Sequence, residues 1–253
     1  MGSEMCIRDR YKCSSGFYLR QGASSQKLSR NNILRFAAKV GKLFFDELPC
    51  EKFDFKNDFD SKKFRLFLKM AKVSNLIGTK QALINLNLAK LEKKKLVMNN
   101  AGAMLFAKNL SKMYYHTNVT CVRFRGNDRS GILDRKDFNE DIISNIENAV
   151  NFILQYLPLR YEIKELRRKE YYEIPESAIR EAVVNAVIHR DYFEKGANVQ
   201  INVFDSKIEI INPGGLVEGL KKKDFGKKSM SRNPLLLSIL SKTEFVEKIG
   251  MDY

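Results

Sequence analysis

Glu181, Asn185 and His189 stand four residues apart in the segment Arg180-Glu181-Ala182-Val183-Val184-Asn185-Ala186-Val187-Ile188-His189-Arg190-Asp191-Tyr192. In a helix that spacing places a carboxylate, a carboxamide and an imidazole in one stripe. These residue types do acid–base and ligand-holding chemistry. In a row beside a buried face they mark a candidate site. The competing reading is a solvated polar stripe.

The elements that must hold this stripe are readable around it. Ile179, Ala182, Val183, Ala186 and Val187 follow the spacing of a helix seated on a core. Pro175 opens that helix in the favoured first-turn position. Downstream, Val199, Ile201 and Val203 alternate with polar residues, Asp205-Ser206 turns the chain, and Ile208 and Ile210 alternate again, which predicts a hairpin. Its second strand runs into Asn212-Pro213-Gly214-Gly215-Leu216. Two glycines after a strand let a backbone approach a ligand closely, although an ordinary turn uses the same residues.

Upstream, Val119 to Arg125 reads as a strand closed by Gly126. Ile142, Ile146, Ala149, Val150, Ile153, Leu154 and Leu157 mark a long amphipathic helix ended at Pro158. Tyr161 to Glu173 is strand-like and basic in its middle. Residues 60–98 read as helices: Phe64, Phe67, Leu68 and Ala71 share a face, Gln81 to Leu91 forms a second helix, and Glu92-Lys93-Lys94-Lys95 is a charged exit. Asn99-Asn100-Ala101-Gly102 reads as a turn before the apolar segment Ala103 to Ala107. Near the start, Phe17 to Arg20 reads as a strand running into the small-residue turn Gly22-Ala23-Ser24-Ser25, and Ser29 to Asn32 offers caps for a helix through Phe36 and Val40. Met1 to Arg10 has no periodicity and reads as a non-native remnant.

Composition narrows the class. With 44% hydrophobic and 11% aromatic residues in 253, the chain can bury a real core and is not disordered. Its apolar runs are broken by polar residues well short of a membrane span, and the first ten residues lack the apolar core of a signal peptide. Cys6, Cys13, Cys50 and Cys121 form no C-x-x-C pair, so reduced thiols in a cytoplasmic protein are expected, without zinc or a disulfide framework. From Pro175 onward 12 Lys and Arg face 11 carboxylates, so nearly all of the net +15 lies in residues 1–174. A polyanion partner is expected on that basic front, with a lysine-rich solvated surface as the alternative. Tyr18 and Arg20 alternate on a predicted strand with Ser24 and Ser25 close by. Stacking, phosphate contact and small hydroxyls suit nucleic-acid backbone binding, while a Tyr packed on a core is the plainer reading.

Taken together, the segment 180–192, the run Phe204-Asp205 through Ile208-Glu209-Ile210 to Asn212-Pro213-Gly214-Gly215-Leu216, and Ser231-Arg232-Asn233-Pro234 resemble a family of bacterial transcriptional regulators often labelled RecG-like. These join a Schlafen-type AlbA domain to a C-terminal ATP-binding module of the GHKL type, related to gyrase, Hsp90, histidine kinases and MutL. Phe17 to Ser25 resembles the last strand of the AlbA domain, and Asn100-Ala101-Gly102-Ala103-Met104-Leu105-Phe106-Ala107 resembles the segment joining the halves.

The resemblance implies roles for individual residues. Glu181 matches the carboxylate that polarises the attacking water, and Asn185 the carboxamide that ligates Mg²⁺. His189, Arg190 and Asp191 fall in the nucleotide-binding motif. Asn212, Gly214 and Gly215 match the glycine loop against adenine, and Gly250 the start of the phosphate-side loop. Two departures stand out. Asn212 occupies a position where gyrase and Hsp90 carry Asp, and Gly250-Met251-Asp252-Tyr253 replaces the expected glycine-rich run, as a truncated module would. For His189 the common alternative is a helix C-terminal hydrogen-bonder, and with only His116 and His189 in the chain a histidine-built metal site is not expected. Arg190 pairs with a carboxylate or a phosphate; Arg232-Asn233-Pro234 is a helix-entry cap or a ligand contact. A P-loop is ruled out: around Gly226-Lys227-Lys228-Ser229 the first glycine position is Lys221 and the Ser/Thr position is Lys228.

The expected fold class is therefore α/β, with a C-terminal two-layer α/β sandwich of GHKL type. The expected domains are the segment 1–10, an AlbA remnant at 11–35, a helical linker at 36–98 and the ATP-binding domain at 99–253. The expected cofactors are ATP and Mg²⁺. The expected partner is nucleic acid, DNA in preference to RNA, with a homo-oligomer left open and no membrane. Slow ATP hydrolysis through Glu181 is one reading; a nucleic-acid-binding or scaffolding protein with a degenerate pocket is the other.

Overall fold

The computed structural model describes residues 10–13, 16–21, 24–29, 33, 37, 43–73, 77–164, 167–215 and 231–243. The chain divides into two compact units, Met1–Phe44 and Phe45–Tyr253. In the first, β1 (Arg10–Cys13), β2 (Gly16–Gln21) and β3 (Ser24–Lys27) form an antiparallel three-stranded sheet. Arg10, inside the segment with no periodicity, is paired with Leu19. Ser24 and Ser25 lie on β3 and not in a turn, paired across the ladder with Gln21 and Arg20.

The second unit begins with short helices. These are α1 (Phe55–Asp58), α2 (Ser61–Met70) and α3 (Thr79–Asn85). Asp60 caps α2 by accepting from the amides of Lys62 and Lys63. Phe64, Phe67 and Leu68 are buried, as their spacing predicts. The helix expected over 81–91 ends at Asn85, because residues 89–98 form a hairpin, β4 (Ala89–Glu92) with β5 (Lys95–Met98). Its two-residue turn is Lys93-Lys94, with φ of 46° and 67°. The expected turn at 99–102 is instead the start of a helix, α4 (Asn100–Phe106), whose cap Asn99 accepts from the amide of Gly102.

The element that positions the site is a four-stranded sheet. It comprises β6 (Val119–Phe124), β7 (Ile132–Phe138), β10 (Val199–Val203) and β11 (Ile208–Ile211) in the order β11-β10-β6-β7. β10 is antiparallel to β11 and parallel to β6, and β7 is antiparallel to β6. Between β7 and β10 the chain forms α5 (Ile142–Tyr156), the hairpin of β8 (Leu159–Lys164) and β9 (Arg167–Tyr172), and α6 (Glu176–Ile188). Val119 and Cys121 of β6 and the alternate residues Val199, Ile201 and Val203 of β10 share one core with α5 and α6. Val122, Phe124 and Phe204 form a separate apolar cluster, and the rings of Phe124 and Phe204 stack at 5.1 Å. The chain is an α/β protein.

The inner face of α6 is broader than its predicted stripe. Ile179, Val183, Ala186 and Val187 are buried as expected, Val184 and Ile188 join them, and Ala182 is exposed. Pro175 is the N-cap, one residue before the helix. Cys50 and Cys121 are buried free thiols. Among the described residues no helix is long and apolar enough to cross a membrane.

Candidate functional site

The stripe on α6 runs from solvent into the protein. Glu181 is exposed, Asn185 is half-buried, and His189 is the half-buried C-cap, its amide donating to the Asn185 carbonyl at 2.9 Å. On an unbroken helix Glu181 and Asn185 are separated by about 6 Å along the axis. Burial, and then the Arg232 charge, hold the His189 imidazole below its ordinary value, so it is neutral at pH 7.

A helix leaves its last four carbonyls without partners inside the helix. Here Asn185 and Val187 are met locally, by the His189 amide and the Tyr192 hydroxyl, and residues from two distant segments supply the others. The Asn212 amide Nδ2 donates to the Ala186 carbonyl at 2.9 Å. Asn233 is fully buried, and its Nδ2 donates to the carbonyls of Ile188 (2.6 Å) and Arg190 (2.9 Å). Arg232 donates from Nη1 to the His189 carbonyl at 3.4 Å and from Nη2 to the Gly215 carbonyl at 2.7 Å, with Asp191 Oδ2 at 3.9 Å. The Asp191 amide donates to the Pro213 carbonyl at 3.2 Å, while Asp191 Oδ1 accepts from the Phe193 amide. The three motifs separated in sequence thus converge on the carboxyl end of α6. Asn233 sits at the N-cap of α7 (Pro234–Leu240) without a side-chain cap bond there, and its side chain grips α6 instead.

Gly214 has φ +99°, and a Cβ there would lie 2.5 Å from Arg232 Nη1 and 2.8 Å from the Asp191 Cβ. This glycine is required on both counts. Among the described residues nothing lies within 4 Å of where a Cβ at Gly215 would stand.

Arg190 is 1% exposed. Its guanidinium donates to the carbonyls of Asp191 (3.0 Å), Glu194 (3.0 Å) and Ala197 (2.6 Å) and lies 4.8 Å from the centre of the Tyr192 ring. It forms no ion pair with a carboxylate among the described residues and folds the 191–197 loop. Tyr192, also buried, donates to the Val187 carbonyl at 3.0 Å.

Two buried acceptors in this cluster make no hydrogen bond: Asn212 Oδ1 and Asn233 Oδ1. Their orientation is not arbitrary. Each Nδ2 faces backbone carbonyls, which can only accept, so each oxygen must be the free end. Among the described residues no group of three or more His, Cys, Asp or Glu could hold a metal. A cation here would rest on the Asn185 carboxamide and on its own ligand's oxygens, as Mg²⁺ bound to phosphates usually does. Gly250 lies outside the described residues.

In the first unit, Tyr18 is half-buried, and Ser24 and Ser25 are exposed on the adjoining strand. Arg20 is paired by register with Ser25, and Tyr18 with Lys27.

Residues without a sequence signal also matter. Asp46 is fully buried, and its Oδ2 accepts from the Leu236 amide of α7 at 2.9 Å while Oδ1 has no partner. Burial pushes its carboxyl up to about 6. His116 is buried with Nε2 3.3 Å from the Tyr192 carbonyl. Single polar residues within irregular loops carry no periodicity that would betray them.

A family described as "Putative ATP-dependent DNA helicase recG C-terminal" matches residues 196–251. That span holds β10, β11, the glycine loop and the Arg232-Asn233 segment, and stops short of α6. No curated protein matches the chain. Among solved structures, the DIP2311 protein from Corynebacterium diphtheriae is similar with a TM-score of 0.66 and 18% identity, over 93% of this chain and 46% of that one. The present chain therefore spans about half the length of that protein, and the likeness concerns the fold alone. The family match, over β10 to α7, points to a nucleotide-binding module.

Proposed function

We propose that the module built on α6 and the four-stranded sheet binds ATP with Mg²⁺, within a DNA-binding regulator. The observation that carries this reading is the unpaired acceptor Asn212 Oδ1. An amide oxygen held at a glycine turn by its own Nδ2 is suited to accept from the amino group of adenine. An unpaired buried acceptor costs about 1–3 kcal/mol, which a donor on the ligand would recover. Asn185, one helical turn from Glu181, offers the hard oxygen that Mg²⁺ takes. Bound Mg-ATP would supply the phosphate to be attacked. Glu181, exposed at the outer end of the stripe, would hold and polarise a water as general base. The neutral His189 would orient without adding charge.

Calorimetric titration of ATP with and without Mg²⁺, on this chain and on Asn185→Ala, tests the proposal. Binding that needs the metal and is lost in the variant supports it. Equal binding by the two proteins removes the metal-ligand role. Absence of binding by either removes the nucleotide reading.

One observation favours the second reading, a scaffold with a degenerate pocket that does not hydrolyse ATP. Arg190 and Arg232, the two guanidiniums of the cluster, are both spent on backbone carbonyls, so neither stands ready as a phosphate clamp. In either case nucleic acid is proposed to contact Tyr18, Arg20, Ser24 and Ser25, and binding there should weaken steeply with salt.

A further inference from the structure

A strongly basic stretch lies apart from both the nucleotide site and the first sheet. Residues 61–98 carry ten Lys and Arg against a single carboxylate, Glu92. These residues make a recognisable architectural unit: α2, a connection, α3, and the β4–β5 hairpin. Its inner surface is apolar and closed. Phe64, Phe67, Leu68, Leu83, Leu88 and Met98 are each at most 3% exposed. Its outer surface is basic, with Lys80, Gln81 and Asn85 exposed on α3 and Lys90, Lys93, Lys94 and Lys95 exposed on the hairpin, and it also exposes Leu66, Val73, Ile77 and Leu91.

We infer that α2, α3 and the hairpin form a winged helix-turn-helix surface for duplex DNA, with α3 in the major groove and the Lys93-Lys94 tip on the adjacent backbone. Three observations carry this. The order helix–helix–hairpin places a short helix beside a projecting ribbon, the geometry by which one helix reads a groove while a neighbouring element holds the phosphates. The connection between the helices, residues 71–78, is longer than the simplest helix-turn-helix turn, and the hairpin supplies the second point of contact.

Next, α3 presents the right chemistry. Gln81 and Asn85 lie one turn apart on its outer face, with Gln81 Nε2 donating to Asn85 Oδ1 at 2.9 Å. Carboxamides read adenine edges in the major groove, and Lys80 beside them suits guanine or phosphate. A helix with its side chains is about 10–12 Å across, which fits a groove about 12 Å wide.

Finally, the hairpin tip is costly for its residues. Two lysines occupy successive left-handed positions, φ 46° and 67°, where Asn-Gly is the favoured pair. A non-glycine residue there costs about 1–2 kcal/mol. Such a local violation marks a place where something other than stability chose the residues, and what lysines at a projecting tip provide is charge. The polyanion that fits a helix-plus-ribbon face is duplex DNA. This surface is independent of the nucleotide site, and its test does not depend on ATP.

The test uses the whole chain and a labelled 25-base-pair duplex, with binding read by fluorescence anisotropy at a series of salt concentrations. Lys93→Asn/Lys94→Gly removes both charges and installs the preferred turn pair, so the hairpin is kept. Lys112→Asn/Lys242→Asn removes the same charge from two exposed lysines elsewhere. The wing variant is expected to bind about tenfold more weakly, with its salt slope reduced by about two, while the control changes less than twofold. Lys80→Gln, which leaves the hairpin alone, should lower the slope by about one. A wing variant indistinguishable from the control, or an unchanged slope in both wing and Lys80 variants, overturns the proposal. So does a protein that ignores duplex DNA but self-associates through this face, with light scattering showing the association lost in the wing variant.

Discussion

The Arg232 guanidinium occupies the space that a side chain at Gly214 would need. Nη1 lies 2.5 Å from where a Cβ would stand, while Nη2 binds the carbonyl of the next residue, Gly215, at 2.7 Å. Glycine and arginine are complementary halves of one lock, and through it the glycine loop is tied to the carboxyl end of α6.

Gly214→Ala must therefore break the lock twice, by its positive φ and by displacing Arg232. A loss on the order of 1–3 kcal/mol is expected, measured by urea unfolding. Gly215→Ala, with no neighbour within 4 Å among the described residues, should fall within about 0.5 kcal/mol of the parent. If a nucleotide lies along this loop, the Gly215 change should instead weaken its binding. Equal stability of the two variants would remove the lock.

Asn212→Asp swaps an amide donor for a carboxylate that faces the Ala186 carbonyl. Ionised, it cannot donate, and a deficit of about 1–3 kcal/mol is expected at pH 8. Protonated, its hydroxyl can donate, so the deficit should shrink towards pH 4. The sign follows from linkage: a carboxyl raised in the folded state stabilises below its unfolded value, and that contribution is lost as pH rises through the folded one. A deficit independent of pH would refute the assigned amide orientation.

Arg190 closes the 191–197 loop through three carbonyls while buried. Arg190→Lys supplies a point charge that cannot span them, and Arg190→Met leaves all three unpaired. Both should lower stability, the Met variant by about 3–5 kcal/mol, as read by thermal unfolding. A neutral Arg190→Met would mean that the guanidinium is not structural.

Asp46 gives a pH signature. With its carboxyl raised by burial to about 6 from an ordinary 3.8, the folded state holds a proton between those values that the unfolded chain has released. Its contribution is full below about pH 4 and lost as pH rises through 6. Asn at this position can still accept from the Leu236 amide but does not titrate. Relative to the parent, Asp46→Asn should therefore gain about 3 kcal/mol between pH 4 and pH 7. His116 and His189 titrate in both proteins and cancel in the comparison. A flat difference across that range would show that Asp46 does not ionise there.

Much of the α/β scaffold was legible because burial is periodic. Ile142, Ile146, Ala149, Val150 and Ile153 are all buried on α5, and alternation marks Val199, Ile201 and Val203 correctly on β10. The hairpin at 89–98 was not legible. Ala89-Lys90-Leu91 continues a helical spacing, and nothing in Lys93-Lys94 announces a turn that usually asks for Asn-Gly. Nor was β7, whose residues are mostly exposed and so show no apolar alternation. At the site, spacing placed Glu181, Asn185 and His189 on one helix. The tasks of Arg190, Arg232 and Asn233 were hidden, because their partners are backbone carbonyls brought close only by the fold.

The parentage of those carbonyl partners also sets a timetable. α6 can wind on its own within about a microsecond, but two of its last four carbonyls are met from far along the chain, Ala186 by Asn212, 26 positions on, and Ile188 by Asn233, 45 positions on. During synthesis, at about 5–20 residues per second, the Ala186 and Ile188 carbonyls wait seconds for these partners after the helix itself has emerged. The stripe is written early and completed late: its last turn matures only when Asn233 arrives.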